Sequence, residues 1–263
     1  MLLRELELAS GKKFTAQYVS SSSMSGCGST TKNPICTLSY AFPRDCSDVA
    51  KCHPNASGQY FIMPSGMTQA FKVYCDMSTD GGNWTLLQRR ANGFFSFDLP
   101  WAFYKSGFGD VMSEYWIGND KIYHLTAQRD YELRVELGDF QGNEAFAIYK
   151  SFKIDNETMK YRLHISNYSG NAGDSLGQHS GLLFTSWDQD NDKWESRNCA
   201  EVYLGSAWWY DHSTRWYNYC AVANLNGFNY GHGVHFAGIC WYNWKLNFYS
   251  MKRVEMKIRP LRP

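Results

Sequence analysis

The sequence predicts an α+β domain built on antiparallel strands, with a C-terminal third made mostly of loops. Three observations predict it. Short stretches of alternating apolar and polar residues recur between turn signals, which is the period of a strand with one covered face. Two short stretches carry helix start and stop signals. Beyond about Gly170 both periods fade, and Gly, Asn, Asp and Trp take over. No period of roughly 20 to 50 residues repeats, which excludes solenoids and propellers.

In chain order, Phe71-Lys72-Val73-Tyr74-Cys75 is the first alternating strand. Asp98 is placed to cap a helix over Leu99 to Lys105, with Pro100 in its first turn and Gly107 just past its end. Asn119 or Asp120 starts a second helix over Lys121 to Ala127, with Ile122 and Leu125 on one face. Tyr131, Leu133, Val135 and Leu137 then alternate with Glu132, Arg134 and Glu136, putting an apolar and a charged row on opposite faces of a strand. Tyr161 to Ile165 and Val254 to Ile258 repeat that period. The basic residues Lys252, Arg253, Lys257, Arg259 and Arg262, beside Glu255, read as a solvated strand face rather than a phosphate-binding patch.

Of 263 residues 44% are hydrophobic and 17% aromatic, enough apolar area to exclude a disordered chain. A net charge of +1 gives no long-range field to draw nucleic acid. The long stretch free of Asp, Glu, Lys and Arg, Tyr217 to Trp244, carries five Asn besides Gly and His, so it is no membrane span. Residues 1–45, Ser/Thr-rich with a four-serine run at Ser20 to Ser23, read as a linker or tail, and 46–263 as a single domain.

Met1 to Leu6 has neither the basic nor the apolar region of a secretory leader. Either the chain begins inside a longer precursor or it is not exported. The cysteines speak for export: eight of them, at 27, 36, 46, 52, 75, 199, 220 and 240, with no Cys-x-x-Cys pair. Disulfides are the better reading; scattered thiols of a cytosolic protein are the alternative.

Trp187-Asp188-Gln189-Asp190-Asn191-Asp192-Lys193-Trp194-Glu195-Ser196 sets three carboxylates at alternate positions. Such a loop can wrap oxygens around a hard cation, although Lys193 and Cys199 stand where an EF-hand needs Gly and Glu. By spacing alone, a solvated acidic turn explains it equally well. His232 and His235 converge on a metal only in a helix, and Gly231 and Gly233 argue for a loop, against zinc. There is no His-Glu-x-x-His and no complete P-loop, and nothing in the sequence brings its Asp, His and Ser together, so an enzyme is not expected. Of four glycosylation sequons, Asn55, beside Pro54 and Gly58, is the best candidate, while Asn83 falls at a strand start.

Asp45-Cys46-Ser47-Asp48-Val49, Val73 to Thr85, Gln88-Arg89-Arg90, Gly142-Asn143-Glu144-Ala145, Ala172 to Leu176, the Asp188 to Asp192 run, Asn198-Cys199-Ala200, Ala207-Trp208-Trp209-Tyr210, Asn224-Leu225-Asn226-Gly227 and Glu255 to Pro260 occur in one order. Together they resemble the fibrinogen-related (fibrinogen C-terminal) domain, nearest to the ficolins, tachylectins and microfibril-associated glycoproteins. The resemblance implies a secreted, calcium-dependent lectin for acetylated or other surface glycans, in innate recognition, working as a homo-oligomer. The alternative it implies is a matrix or receptor-binding protein using the same loops. It implies disulfides Cys46 to Cys75 and Cys199 to Cys220, leaving the partners of Cys27, Cys36, Cys52 and Cys240 open. Carried over, the Ca²⁺ ligands fall on the side chains of Asp190 and Asp192 and the carbonyls of Trp194 and Ser196, with Asp188 a supporting or surface charge.

The implied ligand set is Tyr203, Tyr210, Tyr219, Cys220, Ala221, His235 and Phe236. It departs from the family pattern in two ways: Cys220 is followed by Ala221 instead of His, and nine residues separate Tyr210 from Cys220 where the family has a short spacer. The inserted Trp216, Tyr217 and Tyr219 suit stacking on sugar rings or anchoring a protein, and equally suit covering the acidic loop as local core.

Overall fold

A computed structural model describes residues 42–202, 206–211, 220–231, 233–235, 237–246 and 248–261. The chain divides into two units, Met1–Tyr40 and Ala41–Pro263, and all described residues belong to the second. Most of the expected tail, with Cys27 and Cys36, lies outside them.

Nine of the strands form one antiparallel sheet: β1 (Gly58–Ile62), β2 (Phe71–Asp76), β3 (Trp84–Arg90), β4 (Phe108–Gly109), β5 (Tyr115–Trp116), β6 (Tyr131–Gly138), β7 (Glu144–Ile154), β8 (Leu163–Gly170) and, later in the chain, β11 (Arg253–Pro260). The remaining pair, β9 (Ala223–Asn224) and β10 (Cys240–Trp241), lies in the loop region. The main order is β1-β2-β3-β11-β6-β7-β8, so the last strand enters between β3 and β6 and joins the N-terminal strands to the central ones. Its apolar row Val254, Met256 and Ile258 and the β6 row Tyr131, Leu133, Val135 and Leu137 are all buried, as the period-two pattern requires. The fold is α+β with few short helices, and the strands over 71–75, 131–137 and 254–258 lie where the alternation places them.

Among the described residues four α-helices accompany the sheet: α1 (Cys46–Ala50), α2 (Trp101–Ser106), α3 (Asn119–Gln128) and α4 (Cys199–Val202). Asp45 caps α1, accepting from Ser47 and Asp48 N–H. Its other oxygen takes the Tyr131 hydroxyl and Arg129. The Cys46–Cys75 disulfide, with Cys46 N–H donating to Thr85 Oγ1 at 3.0 Å, ties α1 to β2 and β3.

Three local expectations fail in whole or in part, each for a tertiary reason. The N-cap of α2 is Pro100, and the cap comes from across the fold: Asp188 Oδ1 accepts from Trp101 N–H at 2.8 Å, and Asp98 plays no such part. The strand expected from Tyr161 begins at Leu163, because Tyr161 has a left-handed φ of 48° and its buried ring sends its hydroxyl to Asp120 at 2.6 Å. The charged face of β6 and β11 is solvated at Lys252 and Arg253, both exposed, but covered at Lys257 and Arg259. Lys257 is 1% exposed, with Nζ 2.8 Å from Asp76 and 2.7 Å from Glu136, and Arg259 is 8% exposed, 2.5 Å from Glu132 and stacked over Trp84. A pattern of charges shows a polar row but not what covers it; here the turn carrying Thr79 to Gly82 folds over the row.

Candidate functional site

The loop region after β8 has little regular structure, so side chains satisfy its backbone. Trp208 and Trp209 are fully buried; Trp209 Nε1–H donates to the Tyr161 carbonyl at 2.8 Å, and Thr185 and Trp208 exchange both backbone bonds. The Asn-Leu-Asn-Gly run is a buried strap rather than a ligand face. Asn224 donates to Ser206 Oγ at 3.1 Å, Asn226 donates to the Ala207 carbonyl at 3.0 Å, and Gln88 donates to the Leu225 carbonyl at 2.7 Å. Arg90 reaches the Gly227 carbonyl at 2.6 Å and pairs with Glu114 at 2.9 Å, both side chains 2% exposed. Sequence reasoning picked out Gln88-Arg89-Arg90 only as a motif; nothing in the linear pattern pairs Arg90 with Glu114.

The acidic loop is tied to the segment Phe184 to Ser186 that precedes it. Asn191 Nδ2 donates to the Phe184 carbonyl at 2.8 Å and its N–H to Thr185 Oγ1 at 3.1 Å, while Asn198 Nδ2 donates to the Ser186 carbonyl at 3.0 Å and its Oδ1 accepts from Ala200 N–H at 2.7 Å. Asp188, an exposed carboxylate, accepts from Trp101 N–H and Ser186 Oγ, so this surface charge also caps α2. Asp192 is half-buried. Its oxygens accept from Trp194 N–H at 2.7 Å and Cys199 N–H at 2.8 Å, and its own N–H donates to Asp190 Oδ1 at 3.1 Å. Among the described residues no cation stands within ion-pairing distance of Asp190 or Asp192; neighbouring Lys193 turns to Asp211 at 3.6 Å. Burial raises the Asp192 carboxyl above its ordinary range, and Asp190 adds to the shift against two backbone N–H groups that oppose it.

Two carboxylates without a counter-charge, next to the Trp194 and Ser196 carbonyls, fit a hard divalent cation that takes oxygen ligands. The Trp194 carbonyl accepts from Arg197 N–H at 3.1 Å. Among the described residues there is no cluster of three or more His, Cys, Asp or Glu suited to a metal, so any ion here would rest on carbonyls as much as on carboxylates.

Cys199, bonded to Asp192 through its N–H, forms a disulfide with Cys220, whose carbonyl accepts from Asp211 N–H at 2.8 Å. The two disulfides span 29 and 21 residues. Closures of that length contribute roughly 3 to 4 kcal/mol in the chain-entropy model. Of the remaining cysteines, Cys52 is exposed and Cys240 is a buried thiol whose pKa burial pushes up to about 12.

Of the candidate ligand residues, Tyr210, Cys220, Ala221 and His235 are described. Tyr203, Tyr219 and Phe236 lie outside the described residues, as do Trp216, Tyr217 and His232. Tyr210 is fully buried, with its hydroxyl on the Ser206 carbonyl at 2.6 Å, and Cys220 and Ala221 are buried too. These three support the loops from beneath. His235 is exposed and stacks on Tyr230 with ring centroids 4.4 Å apart.

His179, which sequence reasoning passed over, joins the two loop segments. Fully buried, it places Nδ1 2.6 Å from the Trp209 carbonyl and Nε2 3.3 Å from Ala223 N–H, an arrangement that needs the neutral ring with its proton on Nδ1. Burial lowers its pKa, and the Trp209 carbonyl, Asp211 and Asp174 oppose that only in part. Between its ordinary value near 6.5 and its lower folded value, the unfolded chain therefore binds the extra proton. Stability is full above pH ~6.5 and falls below it by up to about 1.4 kcal/mol per pH unit for this one group. In chelator, His179→Gln should flatten the stability profile below pH ~6.5 in denaturant titrations. A slope equal to that of the unsubstituted chain would remove His179 from the acid response.

The family model for the C-terminal globular domain of fibrinogen beta and gamma chains matches residues 42–261. The chain belongs to this family. Techylectin-5A of Tachypleus tridentatus is 46% identical over 226 residues, covering 83% of this chain and 74% of that protein. Fibrinogen C domain-containing protein 1 of Xenopus tropicalis is 44% identical over 227 residues, covering 84% of this chain and 48% of that one. The chain thus spans about half the length of the frog relative. Among solved structures, the fibrinogen-like globe domain of human ANGPTL2 superposes with a TM-score of 0.77 at 39% identity, over 83% of this chain and 99% of that one. The lamprey fibrin D-dimer, complexed with the peptide ligand Gly-His-Arg-Pro-amide, gives 0.74 at 32% identity, over 90% of this fibrinogen-related domain chain and 81% of its own. No helix among the described residues is long and apolar enough to cross a membrane.

Proposed function

We propose that this fibrinogen-related domain is an extracellular, calcium-supported recognition module whose ligands are surface glycans, acetylated ones among them. The observation that carries the reading is the pair Asp190 and Asp192, without a counter-charge among the described residues and bonded directly to the disulfide-bearing segment through Cys199 N–H. An ion there would hold Cys199, and through Cys220 the segment leading to Ala221, in one geometry. Its part is mechanical: it neutralises the acidic loop, and the chain's own residues then present the ligand surface. The likeness to Techylectin-5A, a lectin by its name, supports glycans as that ligand. Oligomerisation would give weak single sites avidity.

A second reading, recognition of a protein partner by the same loops, is favoured by Ala221 in place of the family's His, and by the peptide held in the lamprey neighbour. Binding to acetylated and deacetylated beads, with and without chelator, separates the two. The lectin reading expects retention on acetylated beads only, elution by N-acetyl sugar or acetate, and loss in chelator. Equal retention on both beads, unaffected by any of these, would transfer the site to a protein partner.

A further inference from the structure

The fold treats the four sequons unequally. Asn83 is half-buried with a left-handed φ of 70° and leads straight into the fully buried Trp84. Asn156 is exposed but spends its side chain on Met159 N–H at 3.2 Å, capping the turn Glu157–Met159. Asn55 is exposed in the turn before β1. Asn167, in Asn167-Tyr168-Ser169, is exposed, and its side-chain amide has no hydrogen-bond partner among the described residues.

Asn167 also sits on β8, the outermost strand at one side of the sheet. The start of that edge is covered: Leu163 N–H donates to the Leu182 carbonyl at 3.0 Å, Gly181 N–H returns to Leu163 at 2.7 Å, and Ile165 N–H reaches Ser180 Oγ at 3.2 Å. From Ser166 to Ser169 no backbone partner lies on the outer side among the described residues. Proteins usually blunt such an edge with charge or proline. Ser166-Asn167-Tyr168-Ser169 has neither. What interrupts it is Asn167 itself. Tyr149 pairs with Tyr168 and Ser151 with Ser166, while Lys150 and Asn167 drop out of the ladder at a φ of 61°.

We propose that Asn167 is an N-glycosylation site and that its glycan covers the open edge of β8. The Asn167 amide nitrogen forms the new N–C bond at the anomeric carbon of a lipid-diphosphate oligosaccharide donor; the C–O bond to the diphosphate breaks, and the amide gives up one proton. A bulky, hydrated branch at mid-edge keeps a second strand from approaching the free N–H and C=O groups. The inference rests on the extracellular part of the reading above and is independent of calcium and of the ligand.

The full chain, secreted from a eukaryotic host, is treated with the glycosidase that releases Asn-linked glycans and leaves aspartate, and the peptide containing residue 167 is weighed. Conversion at Asn167 is expected in most molecules, and Asn167→Gln and Ser169→Ala should each lose one glycan's mass. An unconverted Asn167, with glycan found only at Asn55 or Asn156, overturns the site. For the edge, sedimentation compares the glycosylated chain with Asn167→Gln and with Ser169→Ala, which lack that glycan without adding a charge, the second keeping the left-handed asparagine. Concentration-dependent self-association in the two bare forms supports the shielding role. Identical sedimentation of all three overturns it, whatever the bead assay shows.

Discussion

Replacing Glu114 with alanine should be among the most damaging single substitutions in this domain. Glu114 and Arg90 are each 2% exposed, and one Glu114 oxygen takes Arg90 Nε at 2.9 Å. The other accepts backbone N–H groups from Ala91, Asn92 and Gly93 at 2.9, 2.8 and 2.7 Å. Burial alone would raise the Glu114 pKa, but the guanidinium and those three donors hold it below the ordinary carboxylate range, so the group is charged at neutral pH. Alanine strands a buried guanidinium over the Phe97 ring and three loop donors at once. Removing one partner of a buried pair costs about 3 to 5 kcal/mol. In a domain of this size that corresponds to a fall of roughly 10 °C in melting temperature. Hydrogen exchange should show the loss at Ala91 to Gly93 and around Leu225 to Gly227, whose carbonyls Arg90 holds. The double variant Arg90→Met, Glu114→Leu should recover part of the loss, since an apolar pair of similar volume removes the unpaired charge. Melting within about 2 °C of the unsubstituted chain for Glu114→Ala would show that the pair is not what anchors the loop.

How much of this was legible in the sequence depends on how local the cause is. Tyr131 to Leu137 and Val254 to Ile258 are strands because each residue's face follows from its neighbour's, and that period is written in the chain. The short helix capped by Asp45 is not read from the sequence, where Asp45 stands out only as part of a motif. Nor is the cap of α2, because it comes from Asp188, 87 residues away. The charged row of β6 and β11 shows the limit in another form: alternation identifies Lys257 and Arg259 as the opposite face, but their cover, the Thr79 to Gly82 turn, is about 180 residues away in the chain. At the candidate site, Asp190 and Asp192 are visible by spacing, and Cys199 and Cys220 by family resemblance. The bond from Asp192 to Cys199 N–H, which couples loop to disulfide, belongs to the folded loop alone. Tyr210, an aromatic in a ligand-associated motif, shows the same dependence on the folded loop: its burial and the bond from its hydroxyl to the Ser206 carbonyl are not written in the local sequence.

Removing calcium is the other change expected to have a large effect, and the geometry separates the two aspartates. An ion bound only by the folded state adds about 4 kcal/mol when its free concentration is a thousand times the dissociation constant. The chain should therefore melt well below its calcium-loaded temperature in chelator, by on the order of 10 °C for a domain of this size. Among the described residues Asp190 makes one hydrogen bond, from Asp192 N–H, so Asp190→Ala should abolish the calcium-dependent increment and leave the chelated melting temperature nearly unchanged. Asp192 also receives Trp194 and Cys199 N–H. Asp192→Ala should thus lose the increment and, in addition, melt lower in chelator, by the ~1 kcal/mol typical of a lost hydrogen bond or somewhat more. The difference between the variants is the discriminating quantity, because a merely structural loop predicts the same Asp192 deficit in both buffers and no calcium-dependent part in either. Identical melting of the unsubstituted chain with and without calcium would leave the paired carboxylates as an ordinary acidic turn, and the mechanical coupling to Cys199 would then serve the fold alone.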